Sequence, residues 1–298
     1  MPFTRLARLG FGLGLMLSVA CLITGGPLHG QAKEEVKIGM MDNLFEEKDE
    51  NKIRVLIDPF ANLVRKQTMT DGTFLVTRGV DKMVEDLKAD RLQMGVMHGL
   101  DYAWLKEKMP ELKPLLIAVN DSPTLKAMIV VPRDSTAASI QDLRGKPFAL
   151  NNEPPYHVRF WLNDVTGGDY TKFFNLSQHK LVNLALEEVA DKNVAGTAVS
   201  NGAMDFYKSQ NPVRFQKKLK ILAESPEFPA PVMIYKPAAV RPQLVDRFRN
   251  SMRSAHTTPE GRDTLQLWRL KQFVDVPADY EEVADRIAKR YPRPADAR

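Results

Sequence analysis

The chain of 298 residues contains a single cysteine, Cys21. It therefore cannot build an intramolecular disulfide, a thiolate zinc site or an iron–sulfur cluster, and Cys21 sits in an N-terminal segment where catalysis is not expected. Long apolar runs are also scarce. The one that stands out, Leu9 to Ile23, is short for a membrane-spanning helix. No repeat of fixed period is present, and 20 prolines and 17 glycines are close to ordinary usage, which removes fibrous and low-complexity classes. The sequence lacks a Gly-x-Ser-x-Gly elbow, a His-Glu-x-x-His zinc motif, a phosphate loop and a dinucleotide glycine fingerprint, so no local signature of an enzyme is found. A hydrolase without a local motif is the weakest of the readings considered. Excess charge of one sign is missing too. The formal charge is +5, and two of the 42 basic residues, Arg5 and Arg8, lie in the N-terminal segment; the remainder is too balanced for a nucleic-acid surface.

What is present begins with that segment. Arg5 and Arg8 precede the apolar run, and Gly30-Gln31-Ala32 supplies small residues at a leader-peptidase site, so residues 1–32 read as an export signal cleaved before Lys33. Lipidation at Cys21, or a retained anchor through residues 9–26, is the alternative. The whole chain is 44% hydrophobic and 27% charged, and the part beyond this segment is long enough for a core stabilised by burial alone.

Short Val/Ile/Leu-rich runs then alternate with segments of helical period, the pattern of an α/β fold. Strands are expected at 36–40, 73–77, 92–97, 115–119, 127–132, 147–150, 194–199, 220–223 and 232–235. Asp58-Pro59 reads as a helix start before Phe60, Leu63 and Val64, the run Glu46 to Lys52 as a solvated loop, and Leu244 onward as three terminal helices. Segments 120–126 and 224–231 carry proline and polar residues between strand-like runs. They suggest two crossings between discontinuous lobes: residues 33–122 with 228–298, and residues 123–227. Such a molecule can close on a ligand in the cleft between its lobes.

In open α/β sheets ligands bind beyond the carboxyl ends of the strands, where loops enter helices. Four segments qualify: Met41 to Asn43, His98 to Tyr102, Asn151 to His157 and Ser200 to Gly202. Asp42, Asn43, His98, Tyr102, Asn151, Asn152, His157 and Thr197 are the candidate contacts, with His98 and the Asn151-Asn152 pair leading. His98 follows a strand and precedes Gly99, where backbone can approach closely. His98, Glu153, His157 and His179 could form a metal site, but their spacing is unspecific, and no metal or other cofactor is expected. Met94, Met97 and Met109 read as core packing.

The order of these segments resembles the periplasmic phosphate, phosphite and phosphonate-binding proteins of ABC importers. The resemblance is carried by Val36-Lys37-Ile38-Gly39-Met40, by Val84 to Trp104, by Ala127 to Leu150 with its Asp142-Leu143-Arg144-Gly145-Lys146, by His179 at a helix start, and by Phe273 to Tyr280. It implies a two-lobe α/β fold of the periplasmic-binding-protein type, a small polar ligand, a permease partner in the membrane, a periplasmic location and a monomer. A membrane-tethered sensor of the same fold is the alternative. Family members that bind phosphonate carry a Ser-Thr-Ser-like run where this chain has Asn151-Asn152-Glu153-Pro154-Pro155. Two prolines remove amide donors, and the Glu153 carboxylate, if it faced the ligand, would repel an oxyanion and favour a cationic or zwitterionic solute.

Overall fold

The computed structural model describes residues 35–45, 50–120, 122–268 and 270–294. The expected leader, with Cys21, lies outside the described residues, as do positions 46–49 of the charged run. Strands are β1 (Glu35–Met41), β2 (Asp71–Thr77), β3 (Met94–Met97), β4 (Lys113–Val119), β5 (Thr124–Leu125), β6 (Ala127–Pro132), β7 (Pro147–Asn151), β8 (Asn175–His179), β9 (Gly196–Ser200), β10 (Leu219–Glu224), β11 (Phe228–Pro229), β12 (Val232–Tyr235) and β13 (Gln272–Val274). Helices are α1 (Glu50–Thr68), α2 (Gly79–Lys88), α3 (Gly99–Lys108), α4 (Tyr156–Thr166), α5 (Tyr170–Phe173), α6 (Val182–Ala190), α7 (Asn201–Gln210), α8 (Pro212–Lys218), α9 (Pro242–Arg253), α10 (Pro259–Leu267) and α11 (Tyr280–Arg290). Among the described residues, no helix is long and apolar enough to cross a membrane.

The strands form two mixed sheets, giving a two-lobe α/β molecule. One has six strands in the order β13-β4-β12-β3-β1-β2, the other five in the order β10-β6-β9-β7-β8. The chain passes between them twice, through β5 and β11, which pair antiparallel with Phe228 opposite Leu125 and Pro229 opposite Thr124. Helices cover both faces of each sheet, which is why β6 reads as an unbroken apolar run, Ala127 to Pro132, buried throughout. On the six-stranded sheet, Phe60, Leu63 and Val64 of α1 and Leu244, Val245 and Phe248 of α9 pack on Ile38, Met94 and Leu116. On the five-stranded sheet, Ala185, Leu186 and Val189 of α6 and Met204 and Tyr207 of α7 pack on Val130, Ala149 and Val199. Met94, Met97 and Met109 are buried, as packing residues should be.

The lobes also meet along a flank. Trp104 of α3 lies edge-on to Tyr156 and Phe160 of α4, at 5.9 Å from each ring, and its Nε1 donates to the Tyr291 carbonyl at 3.0 Å. Arg290 and the Tyr291 hydroxyl both donate to Asp164 of α4, the latter at 3.0 Å.

Three local expectations are corrected. Pro59 lies inside α1 rather than at its start, because the helix already runs from Glu50; residues 50–52 of the supposed loop are its first turn. His179 ends a strand rather than opening a helix. Its segment, Asn-Leu-Ser-Gln-His, forms a sheet edge paired only with β7 and is mostly exposed, so it carries no apolar alternation. The short β5, β11 and β13 fall below the length at which periodicity is visible.

Candidate functional site

The carboxyl ends of β1, β3, β7 and β9 lead into a short 3-10 turn at Asp42–Leu44 and into α3, α4 and α7. A cavity of about 390 Å³ lies at the ends of β3, β7 and β9. From the six-stranded lobe it is lined by His98, Ala118, Asn120, Pro231, Trp268 and Leu270; from the crossing by Ser122, Thr124 and Leu125. The other lobe contributes Asn151, Pro154 and Pro155, the Lys180–Asn183 start of α6, and Ala198 to Ala203 with Asp205 and Phe206 of α7.

Two helix N-termini, those of α6 and α7, open on this space, while α3 and α4 reach it only through the preceding His98 and Pro155, their first turns lining a separate small space under the crossing. An α-helix leaves its first N–H groups without intrahelical acceptors and carries partial positive charge there, so each start favours an anion. At α3, α4 and α6 no side chain caps those groups. At α7 the Ser200 hydroxyl accepts from the Ala203 N–H at 3.2 Å, and the Asn201 N–H goes to the Lys126 carbonyl, which leaves the Gly202 N–H for a ligand. The Asn201 side chain is spent on the crossing: its Nδ2 donates to the Thr124 carbonyl at 3.0 Å and its Oδ1 accepts from the Lys126 N–H at 3.1 Å. Lys180 adds a cationic side chain to the wall, while the carboxylate of Asp205 is offset by Lys208 at 3.7 Å.

The structure separates the eight candidates. His98 and Asn151 line the cavity. The His98 Nε2 donates to the Asn43 carbonyl at 3.2 Å, since a carbonyl can only accept. Asn43 in turn donates from Nδ2 to the Asp101 carboxyl at 2.8 Å. Asp42 and Asn43 are half-buried beside this cluster and do not reach the wall. Burial pushes the Asp101 carboxyl above its ordinary value, against the opposing influence of His98 and the Asn43 hydrogen bond. His157 shares with His98 a second, small space of about 20 Å³ under the crossing, its ring 5.7 Å from that of Phe228.

Asn152 is exposed and donates its N–H to the His179 carbonyl at 2.9 Å; it is absent from the wall. Tyr102 and Thr197 are fully buried and do not reach the cavity. The Tyr102 hydroxyl lies 3.4 Å from the Glu281 carboxylate, and burial and that charge push the phenol up. In β9 the residues Gly196 to Val199 are all buried, so composition does not say which face looks toward a ligand; Thr197 is walled in and its hydroxyl has no partner. Glu153 is exposed and off the wall, although its neighbours Asn151 and Pro154 are on it, so the repulsion inferred from the sequence does not arise. Among the described residues no cluster of three metal-ligating side chains occurs. Sequence reasoning missed Asn120, the start of α6, Phe206, Trp268 and Leu270. Only the α6 start left a signal, and it was displaced by taking His179, the last residue of β8, as the helix start.

His157 supplies a pH test. Burial, with the His98 charge nearby, pushes its imidazole from 6.5 down to about 3, and its Nε2 has no partner. Between those values the unfolded chain holds a proton on His157 that the folded protein refuses. Stability is therefore lost as pH falls through the window, by up to about 1.4 kcal/mol per pH unit from this group. Asp101, raised by burial, acts in the opposite direction, so the relevant measurement is the difference in denaturant midpoint between the wild type and His157→Leu across that range. The variant gains on the wild type as pH drops; parallel curves would show that His157 titrates normally.

Comparison with known proteins places the chain. Residues 45–280 match the family described as ABC transporter, phosphonate, periplasmic substrate-binding protein, and the chain belongs to that family. Among solved structures, PhnD1 from Prochlorococcus marinus, in complex with methylphosphonate, is similar with a TM-score of 0.60 at 13% identity, covering 87% of this chain and 98% of that one. XAC2383 from Xanthomonas citri, bound to ATP, is similar with a TM-score of 0.57 at 17% identity, covering 86% and 96%. A binding-protein component of an ABC phosphonate transporter from Pseudomonas aeruginosa has a TM-score of 0.54 at 14% identity, covering 84% and 83%. These likenesses share the two-lobe fold. Proteins of this family capture a small solute outside the cytoplasm and hand it to a membrane permease.

Proposed function

We propose that this protein captures a phosphorus oxyanion, a phosphonate or phosphate, in the cavity between its lobes and delivers it unaltered to an ABC permease. The observation that carries the reading is the meeting of two helix N-termini, the α6 start without a side-chain cap and the Gly202 N–H of α7, at one cavity with Lys180 in its wall. The methylphosphonate complex of the Prochlorococcus marinus protein supports the same ligand class. Residues 33–122 with 228–298 form one lobe and 123–227 the other, with β5 and β11 as the hinge. Contacts from both lobes are complete only when the cleft is closed, so ligand shifts the equilibrium toward the form the permease reads. The protein acts as a monomer, exported on residues 1–32. Lys180, Asn151, His98 and the Gly202 N–H hold the anion.

A thermal-shift series with phosphate, phosphite and methylphosphonate tests this. A ligand present at 100 times its Kd adds about 2.7 kcal/mol to the folded state. For a chain of this size that raises Tm by about 5 to 11 °C. If amino acids and polyamines shift the midpoint and no phosphorus oxyanion does, the reading is wrong.

A further inference from the structure

The anion accounts for only part of the cavity. A tetrahedral oxyanion is satisfied by donors and gains nothing from hydrocarbon, yet much of the wall is apolar. Leu181 and Phe206 are left 55% and 40% exposed at this cavity, although exposed apolar side chains grouped at one place mark recognition surfaces. Val182, the first residue of α6, continues the apolar surface directly beside amides that favour the anion. From the other lobe come Trp268 and Leu270. Trp268 is a fixed wall: its Nε1 donates to the Leu56 carbonyl at 3.2 Å, and its ring lies edge-on to Phe45 at 5.3 Å. A cavity of about 390 Å³ is also within the range of roughly 300–1,000 Å³ that holds whole organic molecules, far beyond the few heavy atoms of methylphosphonate.

Resting on the oxyanion reading of the cleft, we infer that the ligand is a phosphonate carrying an aromatic or branched-alkyl substituent on phosphorus, its head at the helix starts and its substituent between Leu181, Val182 and Phe206 of one lobe and Trp268 and Leu270 of the other. The substituent lies against phosphorus because the apolar surface begins at the residue that also starts α6.

Calorimetric titration of the purified protein with methylphosphonate and with phenylphosphonate tests the inference, with a double variant Leu181→Ala, Phe206→Ser chosen because both side chains are exposed and alanine brings no capping oxygen to the α6 start. Burying a phenyl group between apolar walls strengthens binding roughly tenfold to a hundredfold. Phenylphosphonate binds the wild type at least about tenfold more tightly than methylphosphonate, and the variant erases most of that advantage while holding methylphosphonate affinity within about twofold. Equal affinities for the two ligands would overturn the inference and leave the oxyanion reading standing. An equal loss of both ligands in the variant also overturns it, because the apolar pair then serves closure rather than recognition. Binding of neither ligand by the wild type overturns the oxyanion reading itself, and the inference with it.

Discussion

Replacing Gly99 with alanine lowers the melting temperature, whereas the same substitution at Gly202 does not. Both glycines lie in the first turn of a helix, α3 and α7, and neither has a positive φ, so in each place helix propensity favours alanine by up to about 1 kcal/mol. The surroundings reverse the sign at one of them. A Cβ on Gly99 would lie 2.3 Å from the Pro229 carbonyl oxygen and 2.6 Å from that of Ala230. Neither side can yield easily. Pro229 is paired into the crossing with Thr124, the Ala230 carbonyl accepts from the Tyr280 hydroxyl at 2.6 Å, and α3 is pinned through Trp104 to Tyr291. Overpacking against backbone reaches or exceeds the upper end of about 1–3 kcal/mol, leaving a net loss of at least about 2 kcal/mol after the propensity gain. That corresponds to about 4 to 8 °C in Tm by differential scanning calorimetry. At Gly202 nothing lies within 4 Å of the added carbon, so Tm holds or rises slightly. An unchanged Tm in Gly99→Ala would mean that α3 and the crossing strand are not in the close contact described.

The second large effect falls on binding rather than on stability. Gly202→Asp is predicted to cut oxyanion affinity at least about a hundredfold while leaving Tm within a degree or two of the wild type. A carboxylate in the first turn of α7 sits well with the helix dipole and meets open space, so the fold has no reason to object. In the cavity the same charge faces the bound anion. Two like charges about 4 Å apart at an effective dielectric of about 20 repel by about 4 kcal/mol, more than enough for the loss. Gly202→Asn, isosteric and neutral, separates charge from bulk and retains most of the affinity. Should Gly202→Asp titrate with methylphosphonate as the wild type does, the anion is not held at α7, and the cleft must be read differently.

How far the sequence carries depends on the element. The buried strands β1, β4, β6 and β12 and the helices with a clear apolar face were legible because burial imposes a pattern on consecutive residues. β8 was not, because an edge strand with exposed faces has nothing to alternate. The two-residue strands β5 and β11 are defined by pairing with each other across the chain, and no local window contains that information.

For the site, the sequence determined the scaffold and the general region: an α/β chain whose strand ends feed into helix starts, with His98 and Asn151 among the wall residues, in an order that resembles one family of solute-binding proteins. Which side chains face the ligand was decided only by tertiary structure. Tyr102 follows His98 by one helical turn and Thr197 lies three residues before Ser200, yet both are buried against other elements, while Trp268 and Leu270, far along the chain, complete the wall. The reason is geometric. Local sequence sets the period of a strand or helix, but which phase of that period meets the cavity is set by what packs on the opposite side, and that partner is distant in the chain.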